Sequence, residues 1–109
     1  MKLLRPRQAS PRYRRRVEVR YIADGIAERI GYSGNISLSG MMLRTPKALP
    51  PGTIVALQIH FPSQVLELEG RVMWAREGPL TLLSTGRIGM GIRFIDPPED
   101  LAAVLTAKP

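Results

Sequence analysis

The sequence predicts one small all-β domain, an antiparallel barrel or sandwich of about six to seven strands that ends in a short helix. Three observations lead to this fold class. Stretches in which apolar and polar residues alternate recur at short intervals along the chain. Turn-forming segments rich in glycine, proline and asparagine separate these stretches. With 109 residues, the chain can build one hydrophobic core but not two.

The first two strands are predicted to form a hairpin. Residues 17–21 alternate in side-chain type, Asp24-Gly25 is a hairpin-turn dipeptide, and residues 26–32 can pair back as the second strand. Residues 33–35 then have the composition of a loop. In this hairpin, residue 16 and the segment that follows the second strand lie at the same end.

Further strands and a terminal helix complete the predicted domain. The firmest turn signal is Leu49-Pro50-Pro51-Gly52, because proline fixes φ and glycine permits a positive φ. The acidic residues of Pro97-Pro98-Glu99-Asp100 suit the first turn of a helix, which we place at about residues 98–106. The remaining predicted strands cover residues 40–44, 54–61, 66–74 and 88–94.

The formal charge of +7 is concentrated at the N-terminal end. Residues 1–20 hold eight cations against Glu18 alone, whereas the rest of the chain carries eight charges of each sign. A basic arm on a neutral body favours a local anion site, a loose nucleic-acid contact or a solvated tail. Residues 1–11, interrupted by Pro6 and Pro11, are predicted to be a flexible basic leader, and residues 12–109 the folded domain.

Composition excludes several classes of function. The chain has no cysteine, which excludes disulfides, thiolate chemistry and zinc sites built on sulfur. His60 is the only histidine and has no partners in sequence for a metal site or a catalytic base, so we expect neither an enzyme nor a cofactor. No apolar run approaches the roughly 18 residues of a membrane span, and Arg5-Pro6-Arg7 interrupts any signal peptide. We therefore expect a cytoplasmic protein without membrane insertion.

The first of two informative patches is an Arg-x-x-x-Arg array formed by Arg12 and Arg16. A guanidinium group donates two parallel hydrogen bonds to a phosphate, or to O6 and N7 of guanine. Its flat face can also stack on a purine. A run of charges is more often a solvated tail, so this patch alone favours the tail.

The second patch, residues 35–40, reads Asn-x-Ser-x-x-Gly and begins nineteen positions after Arg16. Asn35 can donate and accept at a guanine edge, Ser37 offers a hydroxyl to a phosphate or to its own turn, and Gly40 leaves room for a ligand. In isolation, the segment is more often a turn that satisfies its own backbone. Its spacing to the arginines favours a two-part clamp for a phosphorylated, base-containing small molecule.

The two patches together resemble the signature motifs of the PilZ family. The resemblance covers roughly residues 12–105 and implies a six-stranded antiparallel barrel with a C-terminal helix. It also implies a receptor for the bacterial second messenger cyclic di-GMP. Further segments resemble the family in the same order, namely Leu49-Pro50-Pro51-Gly52, Gly70-Arg71-Val72-Met73-Trp74, Gly89-Met90-Gly91-Ile92-Arg93-Phe94 and Pro97-Pro98-Glu99-Asp100.

The resemblance also assigns roles to individual residues. Arg12 and Arg16 would hold phosphate and guanine, and the opposite side of the ligand would be lined by Asn35, Ser37 and Gly40. Arg15 and Trp74 are candidates for additional contacts, Trp74 either as a stacking platform or as part of the packing at the barrel mouth. Many relatives have an arginine where this chain has Pro11, which leaves open whether one ligand or an intercalated pair binds.

We therefore predict a non-enzymatic receptor for cyclic di-GMP that passes its signal to an unidentified partner protein, in a pathway such as motility, adhesion or polysaccharide export. In the expected mechanism, the arginine arm becomes ordered over the ligand.

Two alternative functions stay open. One is a degenerate PilZ adaptor that acts only through protein contacts. The other is a barrel that binds single-stranded nucleic acid, against which the neutral body and the few scattered aromatic residues argue.

Overall fold

A computed structural model describes Tyr13, residues 15–85 and residues 87–106. In this part of the chain, six antiparallel strands form a closed barrel that is followed by one helix. A 3-10 helix at Leu80–Thr85 connects the last two strands. The predicted all-β barrel with a C-terminal helix is thus confirmed. The elements are β1 (Glu18–Ala23), β2 (Ile26–Ile36), β3 (Gly40–Arg44), β4 (Ile54–His60), β5 (Val65–Arg76), β6 (Gly89–Ile95) and α1 (Asp100–Thr106).

The order of strands around the barrel is β1-β2-β3-β6-β5-β4, and β1 pairs with β4 to close it. Four of the six pairings join strands that are consecutive in the chain, and the other two, β3 with β6 and β1 with β4, join strands that are not. Because the sheet closes on itself, every strand has a hydrogen-bonded neighbour on each side, and no strand lies at the edge of an open sheet. The outer surfaces of the strands and the ends of the barrel remain for binding.

Alternate residues of the strands fill the barrel, as the period of two requires. Val19, Val55 and Ile59 are among the side chains with no exposed surface. Complete burial of such a side chain contributes about 1.5–3 kcal/mol. The helix α1 packs against the same core through Leu101, Val104 and Leu105. No helix among the described residues has the length and apolar character needed to cross a membrane.

β2 extends further than the sequence predicts. Residues 33–35, predicted as a loop, continue the strand to Ile36, with a shift of register in the β2–β3 pairing between Ser33 and Asn35. The backbone of Tyr13 also bridges to Ile36, with Tyr13 N donating to Ile36 O at 2.8 Å and Ile36 N donating to Tyr13 O at 3.1 Å. The end of β2 therefore has backbone hydrogen bonds on both sides. These bonds stabilise the extended conformation more than the loop-like composition disfavours it.

Candidate functional site

The bridge between Tyr13 and Ile36 joins the two sequence patches. Tyr13 belongs to the arginine array, and Ile36 lies inside the Asn-x-Ser-x-x-Gly segment, next to Asn35. The predicted proximity of residue 16 to the end of β2 is thus present in the structure. Arg12 and the predicted leader, residues 1–11, lie outside the described residues.

The side chain of Ser33 fixes the backbone on both sides of Arg16. Its hydroxyl accepts a hydrogen bond from Val17 N at 2.9 Å and donates one to the carbonyl of Arg15. The amide of Ser33 donates in turn to Val17 O at 3.0 Å. Ser33 is 1% exposed, whereas Arg16 is exposed. The Arg16 backbone is therefore held against β2 while its side chain stays on the surface.

The guanidinium of Arg16 contacts an aromatic ring of β2. Its Cζ atom lies 4.4 Å from the centroid of the Tyr32 ring, within the range of a cation–π interaction. Tyr32 is half-buried and pairs with Glu18 at the start of β1. This contact sets the direction of the Arg16 side chain on the outer surface of the barrel.

A second arginine, Arg44, lies next to Tyr32. The two residues are cross-strand partners in the β2–β3 pairing. The side chain of Arg44 crosses over Gly34, where an added Cβ would lie 2.9 Å from Arg44 Nε. This Nε is buried and has no hydrogen-bond acceptor among the described residues. Tyr32 thus has the Arg16 guanidinium over its ring and Arg44 as its cross-strand neighbour, and Arg44 has a buried donor to satisfy.

Trp74 lies on the outer surface, in a row of residues that leads to Asn35. The strand pairings place Trp74 opposite Gly91, Gly91 opposite Met42, and Met42 opposite Asn35. The indole covers Gly91, because a Cβ there would collide with Trp74 Nε1. Trp74 is 43% exposed and so is not core packing. The backbones of Trp74 and Asn35 are three strand spacings apart, roughly 14 Å, and the indole leans across this gap.

The other two residues of the second patch shape its turn. Ser37 is 1% exposed; its amide donates to Gly40 O at 2.8 Å, and its hydroxyl accepts from Ser39 N at 3.2 Å. An added Cβ on Gly40 would collide with the carbonyl oxygen of Ile92. Gly40 is therefore required by the close approach of β3 to β6. Of the three signature residues, Asn35 has the most accessible side chain.

Arg15 turns toward the C-terminal helix. One of its terminal nitrogens donates to Val104 O at 3.2 Å. Val104 lies in the last turn of α1, where backbone carbonyls lack partners within the helix and attract cations. Arg15 thus links the arginine arm to α1.

His60 belongs to a different surface. It is half-buried at the end of β4, and its Nε2 lies 3.1 Å from Gln58 Oε1. Gln58 Nε2 donates in turn to a carboxylate oxygen of Glu67 at 3.3 Å. Within the described ranges, no group of three or more histidine, cysteine or acidic residues is arranged to hold a metal ion.

Three residues of the candidate site, Ser33, Tyr32 and Arg44, are not among those predicted from the sequence. The positions of Tyr32 and Arg44 in the predicted strands could have indicated that both lie near the arginine array. The predicted hairpin places Tyr32 beside the start of the first strand, close to the arginine array, and a direct β2–β3 pairing places Arg44 next to Tyr32. For Ser33, no sequence signal was available, because its role depends on the unpredicted extension of β2.

Known proteins show the same architecture. A match to the PilZ domain covers residues 6–107. The solved structure of the Bacillus subtilis inhibitor of motility, MotI/DgrA, superimposes with a TM-score of 0.71 at 21% identity, over 96% of this chain and 50% of that chain. The chain thus spans half the length of that protein. The PilZ domain of CeSA from a cellulose-synthesizing bacterium gives a TM-score of 0.62 at 17% identity, over 88% of this chain and 91% of that one. No curated protein sequence matches. The family match covers most of the chain, and the chain belongs to the PilZ family.

Proposed function

We propose that this chain is a non-enzymatic receptor for cyclic di-GMP. The observation that carries the proposal is the contact between the two patches, through the Tyr13–Ile36 bridge and the hydrogen bonds of Ser33 on both sides of Arg16. A guanidinium group and an amide side chain thereby face the same outer surface of the barrel. PilZ domains are a family of cyclic di-GMP receptors and are typically binding domains without enzymatic activity, which agrees with this arrangement.

The phosphates of the ligand are assigned to the arginines. Cyclic di-GMP carries two phosphodiesters, each with one negative charge, and a guanidinium fork matches either of them. In this proposal Arg12 and Arg16 bind phosphate and guanine. Arg44 adds a third cation, whose buried Nε lacks an acceptor among the described residues. Arg15 supports the arm through its bond to α1 rather than through the ligand.

The guanine bases are assigned to Asn35 and to the aromatic side chains. An amide donates and accepts at once, as a guanine edge requires. The row from Asn35 to Trp74 offers a surface on which a base can stack against the indole. Ser37 and Gly40 contribute by holding the turn that follows Asn35.

Because the backbone of Tyr13 and the backbone on both sides of Arg16 are hydrogen-bonded to β2, we expect closure over the ligand to use side chains such as that of Arg16. Closure changes the outer surface at the end of β2, where an effector protein can bind or leave. The solved neighbours include an inhibitor of motility and a domain from a cellulose-synthesizing bacterium, which favours an effector in motility or polysaccharide production.

The test is isothermal titration of cyclic di-GMP into the wild-type protein and three variants. Arg16→Ala should abolish or strongly weaken binding, and Ser37→Ala should weaken it by loosening the turn. Arg29→Ala removes the same charge from β2 six residues before Asn35 and should bind normally. The stoichiometry shows whether one ligand or an intercalated pair occupies the site. Absence of heat, with a melting temperature that excess ligand does not change, would identify a PilZ adaptor that binds only protein.

A further inference from the structure

The outer surface of β5 changes the sign of its charge halfway along the strand. Every second residue from 65 to 73 is exposed, and in order these residues are Val65, Glu67, Glu69, Arg71 and Met73. Two carboxylates are therefore followed by a guanidinium, with an exposed apolar side chain at each end of the row. We call the surface formed by these five residues the β5 surface.

A second arginine lies next to the positive half of the β5 surface. Arg93 on β6 is the cross-strand partner of Arg71, and its side chain is also exposed. Like charges that lie directly opposite each other on a sheet destabilise it. In the part of the chain that the structure describes, neither guanidinium has a hydrogen-bonded or ionic partner. The two arginines therefore repel each other without a carboxylate to offset the repulsion.

The negative half of the β5 surface forms one side of a groove of about 550 Å³. Glu67 and Glu69 line this groove, and so do Ile22 and Ala56, which face each other in the β1–β4 pairing. Both apolar residues are exposed. An arginine from another molecule fits such a groove, because its aliphatic stem can pack on the apolar residues while its guanidinium reaches the carboxylates.

Arg20 also lines the groove but does not neutralise it. Its Nε donates to a carboxylate oxygen of Glu18 at 2.9 Å. The hydrogen bond and charge of Glu18 raise the pKa of Arg20 above its usual value. The carboxylates of Glu67 and Glu69 have no ionic partner among the described residues, so the groove keeps a negative charge.

The change of sign along β5 makes this surface complementary to a second copy of itself. When two barrels face each other across a two-fold axis that crosses β5 at right angles between Glu69 and Arg71, the two β5 strands run in opposite directions. Glu69 of each copy then faces Arg71 of the other. On β4, the cross-strand partners of these two residues are Ala56 and Ile54, so Ile54 of each copy faces Ala56 of the other. One symmetry operation thus produces two ion pairs and two apolar contacts.

The charge and the size of the barrel allow a weak dimer. The positive excess lies in residues 1–20, and the rest of the chain carries eight charges of each sign, so two barrels can approach without strong net repulsion. From Val65 to Met73 the β5 surface is roughly 27 Å long, and three adjacent strands are together roughly 14 Å wide. This area is at the low end for specific interfaces, and the expected dissociation constant is on the order of 100 µM.

We propose that the chain forms a two-fold symmetric dimer through the β5 surface. Glu69 of each copy pairs with Arg71 of the other, and Arg93 lies beside the same carboxylate, so the repulsion between the two arginines is offset. The dimer forms without cyclic di-GMP. In the closed barrel, β2 lies three strands away from β5 in both directions, so the Arg16 side chains, which contact β2, lie on the outer sides of the dimer.

The test is sedimentation equilibrium of the full chain without nucleotide, at protein concentrations up to about 1 mM. The average mass of the wild type should rise from that of one chain toward that of two. Glu69→Arg and Arg71→Glu should each raise the dissociation constant at least about tenfold, because two-fold symmetry turns both ion pairs into like-charge contacts. Glu77→Arg and Arg87→Glu reverse exposed charges outside the β5 surface and should leave it unchanged.

Mixing the two surface variants separates a direct contact from a general effect of charge. The Glu69→Arg and Arg71→Glu proteins should form a heterodimer at concentrations at which each alone is a monomer, since carboxylate again faces guanidinium. A chain with both substitutions should self-associate again. All the altered side chains are exposed, so the barrel should stay folded.

Three results would overturn the proposed dimer. The first is a wild-type chain that stays monomeric at about 1 mM. The second is a dimer that both single variants still form, and the third is a mixture of the two variants that stays monomeric. Because nucleotide is absent throughout, each of these results is independent of whether the chain binds cyclic di-GMP.

Discussion

The Cζ atom of Arg16 lies 4.4 Å from the centroid of the Tyr32 ring, and the backbone on either side of Arg16 is hydrogen-bonded to Ser33, the residue after Tyr32. Two neighbouring residues of β2 therefore control one arginine, the first its side chain and the second its backbone. If the arginine binds the ligand, both should affect affinity, although neither needs to touch the nucleotide.

Tyr32→Ala should weaken the binding of cyclic di-GMP by about two- to fivefold, which corresponds to the loss of about 0.5–1 kcal/mol from an exposed cation–π contact. Tyr32→Phe keeps the ring face and should bind almost as tightly as the wild type. Isothermal titration of both variants measures the difference. If Tyr32→Phe binds as weakly as Tyr32→Ala, the phenol hydroxyl rather than the ring is responsible, and the proposed role of this contact is wrong.

Ser33→Ala should lower the free energy of unfolding by about 1–3 kcal/mol, because Val17 N and the carbonyl of Arg15 each lose a buried partner. Urea denaturation measures this loss. Ser63→Ala, in the exposed turn between β4 and β5, is the matched control and should change stability by less than about 0.5 kcal/mol. In the absence of urea, the folded Ser33→Ala protein should also bind cyclic di-GMP more weakly than the wild type does. A stable variant with normal affinity would show that the backbone at Arg16 is held by other contacts.

Arg44→Met should separate binding from stability. Methionine can retain the packing of the side chain over Gly34 while it removes a buried donor that has no acceptor among the described residues. The melting temperature should therefore stay the same or rise, whereas affinity for cyclic di-GMP should fall. Lys47→Met, which removes an exposed cation three residues further on, should leave affinity unchanged. Normal ligand affinity in Arg44→Met would exclude Arg44 from the site.

The sequence was sufficient for the barrel and for the approximate place of the site. Alternating side chains and the turn at Asp24-Gly25 define the first hairpin, and the hairpin brings the arginine array to the end of β2. Both inferences use local periodicity, which the sequence displays directly. The predicted loop at residues 33–35 was wrong because the chain around Tyr13 and strand β3 pair with both sides of this segment, and distant pairing has no local signature.

The detailed roles within the site were harder to predict, for a related reason. The burial of Ser37 and the collision that an alanine at position 40 would cause depend on how closely β3 approaches β6. These two strands are far apart in sequence, so their spacing cannot be read from either one. The placement of two arginines beside Tyr32 likewise depends on the register of two separate pairings.

Gly40→Ala should destabilise the protein by about 1–3 kcal/mol, because the new methyl group would collide with the carbonyl oxygen of Ile92 and also lie 3.2 Å from the Cα of Arg93. Both contacts are with backbone, which can yield only if β3 and β6 move apart. Gly34→Ala is the matched control. Its methyl group would meet Nε of the Arg44 side chain at 2.9 Å, and a side chain can turn away at smaller cost.

Urea denaturation of the two glycine variants, followed by titration of the folded proteins, distinguishes a structural from a ligand-contacting role for Gly40. A large loss of stability in Gly40→Ala and a small one in Gly34→Ala would support the strand-spacing explanation. If Gly40→Ala is as stable as the wild type but binds cyclic di-GMP poorly, the glycine is needed to make room for the ligand. In that case the close approach of β3 to β6 does not explain why glycine is required at this position.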